Sequence, residues 1–296
     1  MYSAAAEAGA AGVASHRGWQ ANLYNAAVTG RDRVYTTEAI VLRRQDFGEA
    51  DRILTIFSLT HGKRRVIAKG VRRPRSRKAG HLEPYTRVRM LLARGREMDI
   101  VTQAEAAELF PGLRGDLIRL GHAAYAVELL DRFTVEEGAH RPLYELLNQT
   151  LARLADGADP ALALRSFELR LLDLAGFRPE LNRCVRCGEE IRPEDQYFSP
   201  EDGGVLCARD GPKREGSSRL SLAALKVLRH LQRHPWDEAQ RLRLSPATAQ
   251  EVERVMEGYL TYLLERRLHA PEFLRRVRLL LQGQGLPEPV SPEAPR

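Results

Sequence analysis

Residues 37–70 read TEAIVLRRQDFGEADRILTIFSLTHGKRRVIAKG. Three runs rich in Ile, Val, Leu and Thr are broken there by DFGEA and THG. Short apolar and β-branched runs bounded by glycine and acidic turn residues predict strands rather than helices. Beyond a basic loop bearing Pro74 and Gly80, the pattern continues as TRVRMLLA (86–93) and, after RGR, EMDIVTQA (97–104). Five short strands between Thr36 and Ala104 suit a small barrel. The five-stranded Greek key of the OB type is the commonest such solution, with an SH3-like barrel as its competitor.

Working outward, FPGLRGD (110–116) marks a change of period, and helical patterns follow. LRGDLIRLGHAAYAVELLDRF (113–133) spaces Leu117, Leu120, Ala124, Val127 and Leu130 as one apolar stripe. RPLYELLNQTLARLA (141–155) opens with Pro142 in a first helical turn. PALALRSFELRLLDLAGFRP (160–179) stops at Gly176 and Pro179. Helical patterns resume at LSLAALKVLRHLQRH (220–234) and SPATAQEVERVMEGYLTYLLERRL (245–268).

The chain therefore divides as an Ala- and Gly-rich extension (1–32), an OB-type barrel (33–110), a helical domain in two parts (111–180 and 217–283), a cysteine module inserted between them (181–216) and a Pro-rich tail (284–296). The expected class is α+β multidomain. Residues 1–32 and the tail are expected to be loosely ordered. No internal repeat occurs, and no apolar run reaches the length of a membrane span.

A net charge of +7 points to a polyanionic partner, and its distribution sharpens the point. Residues 63–78 contain Lys63, Arg64, Arg65, Lys69, Arg72, Arg73, Arg75, Arg77 and Lys78 without a single acid. Cations this dense repel one another unless an anion neutralises them or water solvates them. On an OB-type barrel, nucleic acid is the favoured anion over plain solvation. In KRRVIAKG, strand alternation sends Val66 and Ala68 inward and Arg65, Ile67 and Lys69 outward. VRRPRSRKAG then reads as a flexible basic arm, loosened by Gly70, Pro74 and Gly80. Between Thr36 and Ala104 the aromatic side chains are Phe47, Phe57 and Tyr85, and Phe57 alternates like a core residue. So few rings describe a phosphate binder rather than a base reader, tolerant of sequence and able to hold single or double strands.

All three cysteines lie in CVRCGEEIRPEDQYFSPEDGGVLCARD (184–210). CVRCG and CARDG are paired halves: Cys184 and Cys187 in one, Cys207 and Asp210 in the other, each closed by a glycine. This spacing is that of a zinc ribbon whose fourth ligand is a carboxylate. The alternatives are a degenerate site without metal, closure by His230 or His234, and a catalytic zinc near Glu189 or Glu190. The insertion between helices favours one structural Zn2+. Three clustered cysteines make no disulfide framework, so a cytoplasmic setting is expected. His61 and His81 are read as solvated loop residues. Arg266, Arg267, Arg275, Arg276 and Arg278 form a second basic cluster, either a solvated helix face or another DNA track.

The segments TTEAIVLRRQDFGEADRILTIFSLTHGK, VIAKGVRRPRSR…LEPYTRV, FELRLLDLAGFRPELNRCVRCG and GGVLCARDG together resemble the RecO family of bacterial recombination mediators, from about Thr36 to about Leu281. The resemblance implies an N-terminal OB domain and a helical domain carrying a small zinc module. It implies binding of single- and double-stranded DNA and annealing of complementary strands. It further implies work with RecR in loading RecA onto DNA coated with single-strand-binding protein, whose C-terminal tail the helical domain of some members contacts. Such a protein is not an enzyme in the bond-breaking sense, and would act in the cytoplasm at the nucleoid, as a monomer or with RecR. Family members with four cysteines have one where this chain has Asp210, and some lack them all. Two rival functions stay open: a metal-dependent nuclease or hydrolase, and an RNA-associated zinc-ribbon protein.

Overall fold

The computed structural model describes residues 33–136, 138–264 and 277. The expectations for residues 1–32, for the Arg266–Arg278 cluster and for the tail at 284–296 lie outside the described residues.

Strands β1 (Val34–Phe47), β2 (Asp51–Ser58), β3 (Gly62–Ala68), β4 (Arg87–Ala93) and β5 (Asp99–Glu108) close a barrel in the order β1-β2-β3-β5-β4. All neighbours are antiparallel except β3 and β5, which meet in parallel at Val66↔Asp99 and Ile67↔Ile100. That closure is the OB-type Greek key, not the SH3-like alternative. β1 runs to 14 residues because it serves two neighbours. Its first half pairs with β4 and its second with β2, across a register shift between Val41 and Arg43. Such a bulge bends a strand and lets one chain turn the corner of a small barrel.

The apolar run AIVL in β1 does not alternate, because both faces of the strand are covered. Ala39 and Val41 point into the barrel with Leu54, Ile56, Val66, Met90 and Leu92. Ile40 and Leu42 point outward, into the core of the helical domain, and Phe57 goes with them. Phe57 is thus a core residue, but of the junction rather than the barrel. Polar ties complete the weld. The Tyr144 hydroxyl donates to Glu38 Oε1 at 3.0 Å, and Arg87 reaches the same oxygen at 3.1 Å.

The helical domain comprises α1 (Pro111–Arg114), α2 (Leu117–Phe133), α3 (Arg141–Ala155), α4 (Pro160–Leu174), α5 (Leu222–Arg233), α6 (Trp236–Ala239) and α7 (Pro246–Leu264). Asp116, Asp159 and Ser221 cap α2, α4 and α5, each accepting from backbone N–H groups of the first turn. Gly176, at φ +82°, ends α4, and the Phe177 N–H returns to Leu172 O at 2.7 Å. The single stripe expected on α2 is corrected. Leu117 is 51% exposed, whereas Gly121, His122, Ala123, Tyr125, Ala126, Val127, Leu129 and Leu130 are buried. α2 packs against α1, α3, α4 and β1, so no one stripe describes it. Among the described residues no helix is long and apolar enough to cross a membrane.

The core of α4 contains a fully buried Glu168, 3.0 Å from Arg165 Nη2. Burial pushes its pKa from 4.5 up to about 7, against the pull of Arg165 and Tyr125 and with the push of Glu253 and Glu257. Between pH 4.5 and about 7 the folded chain therefore holds a proton that the unfolded chain has released. The stability this group contributes is full below that window and is lost across it. Glu168→Gln, a neutral isostere, should gain stability relative to the native chain by a few kcal/mol as pH rises through the window, then level off. Urea unfolding of both proteins across pH measures the difference.

Candidate nucleic-acid interface and candidate metal centre

The nine basic residues of 63–78 fall into different environments. On β3, Val66 and Ala68 are buried inside the barrel, while Arg65 and, just past the strand, Lys69 are exposed on its outside with Ile67 half-buried between them. Arg73, Arg75 and Arg77 are exposed on the loop that follows. Arg64 is half-buried and donates to His61 O at 3.2 Å.

Lys63 is not part of this exposed set. Its ammonium contacts Asp131 Oδ1 at 2.6 Å and donates to the Asp131 and Thr134 carbonyls at 2.6 and 3.0 Å, with its side chain only 13% exposed. Arg43 of β1 reaches the same carboxylate at 3.2 Å. Lys63 joins the barrel to the end of α2. Lys78 is also drawn inward, donating to Val101 O at 2.9 Å and Lys69 O at 3.3 Å, and burial holds its pKa below the usual lysine range.

The flexible arm expected at 71–80 is instead an anchored loop. Val71 is fully buried in the barrel core, as is Leu82 beyond the loop, so the two plug one end of the barrel. Gly70, at φ +65°, donates to Asp51 Oδ1 at 2.7 Å, and the Arg72 N–H donates to Ala50 O at 2.9 Å. Further turns close through Arg73 N–H to Gly70 O and Ser76 N–H to Arg73 O. Glycine and proline mark turns as readily as hinges, and here they make turns.

The fold also brings in charges that residues 63–78 do not contain. Arg44 and Arg52 approach Arg72 around Asp46 and Glu83: Arg52 lies 3.0 Å from Asp46, Arg72 3.3 Å from Asp46, and Arg44 bonds Glu83. The signal is present in the hairpin, since symmetric pairing about the turn GEA (48–50) sets Asp46 opposite Arg52. Arg65, Lys69, Arg73, Arg75 and Arg77 form no ion pair among the described residues. The two histidines are engaged: His61 packs on Tyr35 with ring centroids 4.5 Å apart, and His81 Nδ1 accepts from the Ala106 N–H at 3.1 Å.

In the second site, strands β6 (Gln196–Ser199), β7 (Gly204–Leu206) and β8 (Ser218–Leu220) form a small sheet in the order β7-β6-β8. It presents the two paired halves to each other. The ligand atoms of Cys184, Cys187, Cys207 and Asp210 all lie within 4.8 Å of one another. Cys187 Sγ is 4.0 Å from Cys207 Sγ, and Asp210 Oδ2 is 3.3 Å from Cys207 Sγ and 3.7 Å from Cys184 Sγ. A tetrahedral ion with metal–sulfur bonds of about 2.3 Å spaces its sulfurs about 3.8 Å apart, so these residues fit a metal ion of that kind. Asp210, not His230 or His234, completes the group; the two histidines stack on each other and His234 pairs with Glu238.

The knuckle geometry is explicit at sulfur. Burial works to raise the Cys184 pKa, but N–H donors of Cys187, Cys207 and Arg186 outweigh it, and the net shift is downward. The thiols of Cys207 and Cys187, donating to Asp210, likewise hold its carboxyl below the usual range. Gly188 has φ +74°, the left-handed turn expected after CVRC. Gly211 is glycine for another reason: a Cβ there would stand 2.3 Å from the Tyr197 ring.

The module is not a loose appendage. Leu181, Cys184, Ile191, Phe198, Val205, Leu206 and Leu220 share one core with α4, α5 and α7. Arg229 Nε donates to Leu181 O at 2.8 Å and Gln232 Nε2 to Pro179 O at 2.9 Å.

Two family models match this chain: Recombination protein O N terminal over residues 33–110, and Recombination protein O C terminal over residues 114–272. A DNA repair protein RecO from Roseiflexus sp. (strain RS-1) is 45% identical over 256 residues, covering 85% of this chain and 89% of that protein. One from Desulforudis audaxviator (strain MP104C) is 44% identical over 248 residues, covering 82% and 97%. One from Desulforamulus reducens is 37% identical over 253 residues, covering 86% and 98%.

Proposed function

The chain belongs to the RecO family of DNA repair and recombination proteins, and on that premise we propose that its barrel binds single- and double-stranded DNA through the phosphates and anneals complementary strands. The observation that carries this reading is the run of Arg65, Lys69, Arg73, Arg75 and Arg77, exposed along one strand and its following loop without acidic partners among the described residues. Cations held on a rigid barrel neutralise phosphates of two strands at once, lower their mutual repulsion, and let base pairing proceed. None of these groups needs to break a bond, so the protein acts as a mediator rather than an enzyme. Its expected partners are RecR, RecA and single-strand-binding protein, in the cytoplasm at the nucleoid. Strand annealing on DNA coated with single-strand-binding protein, with and without RecR, is the test. Acceleration without strand loss supports the proposal; chelator-sensitive cleavage would replace it with a nuclease, and preference for RNA in competition with an RNA-associated role.

The cysteine site, on the same reading, holds one structural Zn2+ through Cys184, Cys187, Cys207 and Asp210. The ion would cross-link the two halves of the module and supply folding energy.

Lys63 gives an internal control for the proposed track. Lys63→Ala removes one partner of a largely buried ion pair and should cost about 3 kcal/mol of stability. In the protein that folds, the salt dependence of DNA binding should be unchanged. Chemical denaturation and a binding titration at several salt concentrations report the two effects separately.

A further inference from the structure

We propose that Phe47 is the base-stacking residue of the barrel, giving an otherwise phosphate-directed surface a grip on unpaired bases. The inference rests on the DNA-binding reading and narrows it, because phosphates alone do not tell single strands from duplex by their bases.

The rings of the barrel region differ in what remains open to a ligand. Phe57 is buried in the junction with the helices. Tyr85 is half-buried, its N–H bonded to Val41 O at 2.8 Å. Tyr35, near the start of β1, donates its hydroxyl to Asp99 and sits between His61 and the Arg94 guanidinium, 5.0 Å from its ring. Phe47 is 51% exposed, at the end of β1 opposite Asp51, and has no ring or cation partner among the described residues.

The turn that carries Phe47 is bolted to the basic loop: Arg72 donates through its N–H to Ala50 O at 2.9 Å and through Nη1 to Gly48 O at 3.2 Å. Across the hairpin, Arg52 Nε donates to Asp46 Oδ1 at 3.0 Å. Arg52, which bonds it, and Arg72 and Arg44 nearby hold the carboxyl of Asp46, the residue before Phe47 on β1, below the usual range. An exposed ring is therefore presented on a braced turn where the basic loop begins. Rings set beside phosphate-binding cations are the working arrangement of single-strand binders, and the loop joining the first two strands is a ligand-binding edge of OB barrels. An unpaired base offers a free face to such a ring, whereas the bases of a duplex are already stacked.

The test uses the full chain, a labelled single-stranded thymidine homopolymer, a duplex of equal length, and a single strand with abasic sites. Phe47→Ala should bind the intact single strand about 10-fold more weakly, with duplex affinity and salt slope unchanged. Phe47→Trp should restore the affinity and Phe47→Leu should not. The native chain should lose a similar factor on the abasic strand, while Phe47→Ala should not distinguish it from the intact one. The position is exposed, so melting temperatures should agree and folding loss is checked directly. Equal loss on single strand and duplex, or no loss, overturns the stacking role alone. Failure of the native chain to bind either DNA overturns the DNA-binding reading with it.

Discussion

Replacing Arg65, Arg73, Arg75 and Arg77 together by Ala is expected to lower DNA affinity on the order of a hundredfold at about 0.15 M salt, for every sequence tested. Each side chain is exposed and forms no ion pair among the described residues, so each is available to a phosphate. Neutralising one phosphate releases condensed counterions with a salt exponent of about 0.7 to 0.9, so losing four contacts flattens the slope by about 3. The same exposure means that stability should change by less than about 0.5 kcal/mol per site. Affinity and slope must fall together; a fall in affinity at constant slope would signal a damaged fold or lost base contacts, and an unchanged slope would remove these residues from the interface. Arg72 belongs to a separate experiment. Its bonds to Asp46 and Gly48 hold the loop to the hairpin, so its replacement mixes lost charge with lost anchoring.

This choice of residues shows what could be read from the chain and what could not. Strands were legible because alternation is a local property: Val66 and Ala68 inside, Arg65 and Lys69 outside, follows from period two alone. Closure was less legible, since the parallel contact of Val66 with Asp99 joins residues far apart in sequence. The partner of an outward face was not legible at all. Phe57 and Lys63 both leave the barrel and enter the helical domain, one as an apolar plug and the other as a largely buried cation. Nothing in KRRVIAKG distinguishes Lys63 from Arg65; Asp131, 68 residues away, does so. For the same reason the single stripe drawn on α2 missed a helix packed on several sides. Gly and Pro in the basic loop suggest mobility by themselves, but Val71 within the loop is buried in the barrel core and, with Leu82 beyond it, pins the loop there. The metal group was legible because CVRCG and CARDG each set their two candidate ligands on one tight turn. Only the sheet was needed to bring the turns together.

Cys184→Ser is expected to be the most damaging single change in the chain, and damaging to folding rather than to DNA contact. Cys184 is buried, its sulfur accepts from the Cys207 N–H at 3.4 Å, and it belongs to the core shared with α4, α5 and α7. A metal at this site would bridge the halves of a module whose own sheet has strands of only three or four residues. Strands so short hold one another weakly, so the binding energy of such an ion would become folding energy. The loss should be about 3 kcal/mol or more, seen as poor soluble yield, a lower melting temperature and metal content near zero by elemental analysis. A chelator should lower the melting temperature of the native chain in the same direction. Asp210 allows the opposite change. A carboxylate is a harder ligand than a thiolate, so if the proposed zinc is bound, Asp210→Cys should hold it at higher chelator concentration and raise the melting temperature. Neither substitution should alter the salt slope of DNA binding in folded protein, because the proposed phosphate contacts lie on β3 and its following loop. A native chain purified without metal would reduce Asp210 to a buried acceptor of the neighbouring thiols. A slope that moved with Cys184 would instead make the module part of the DNA track.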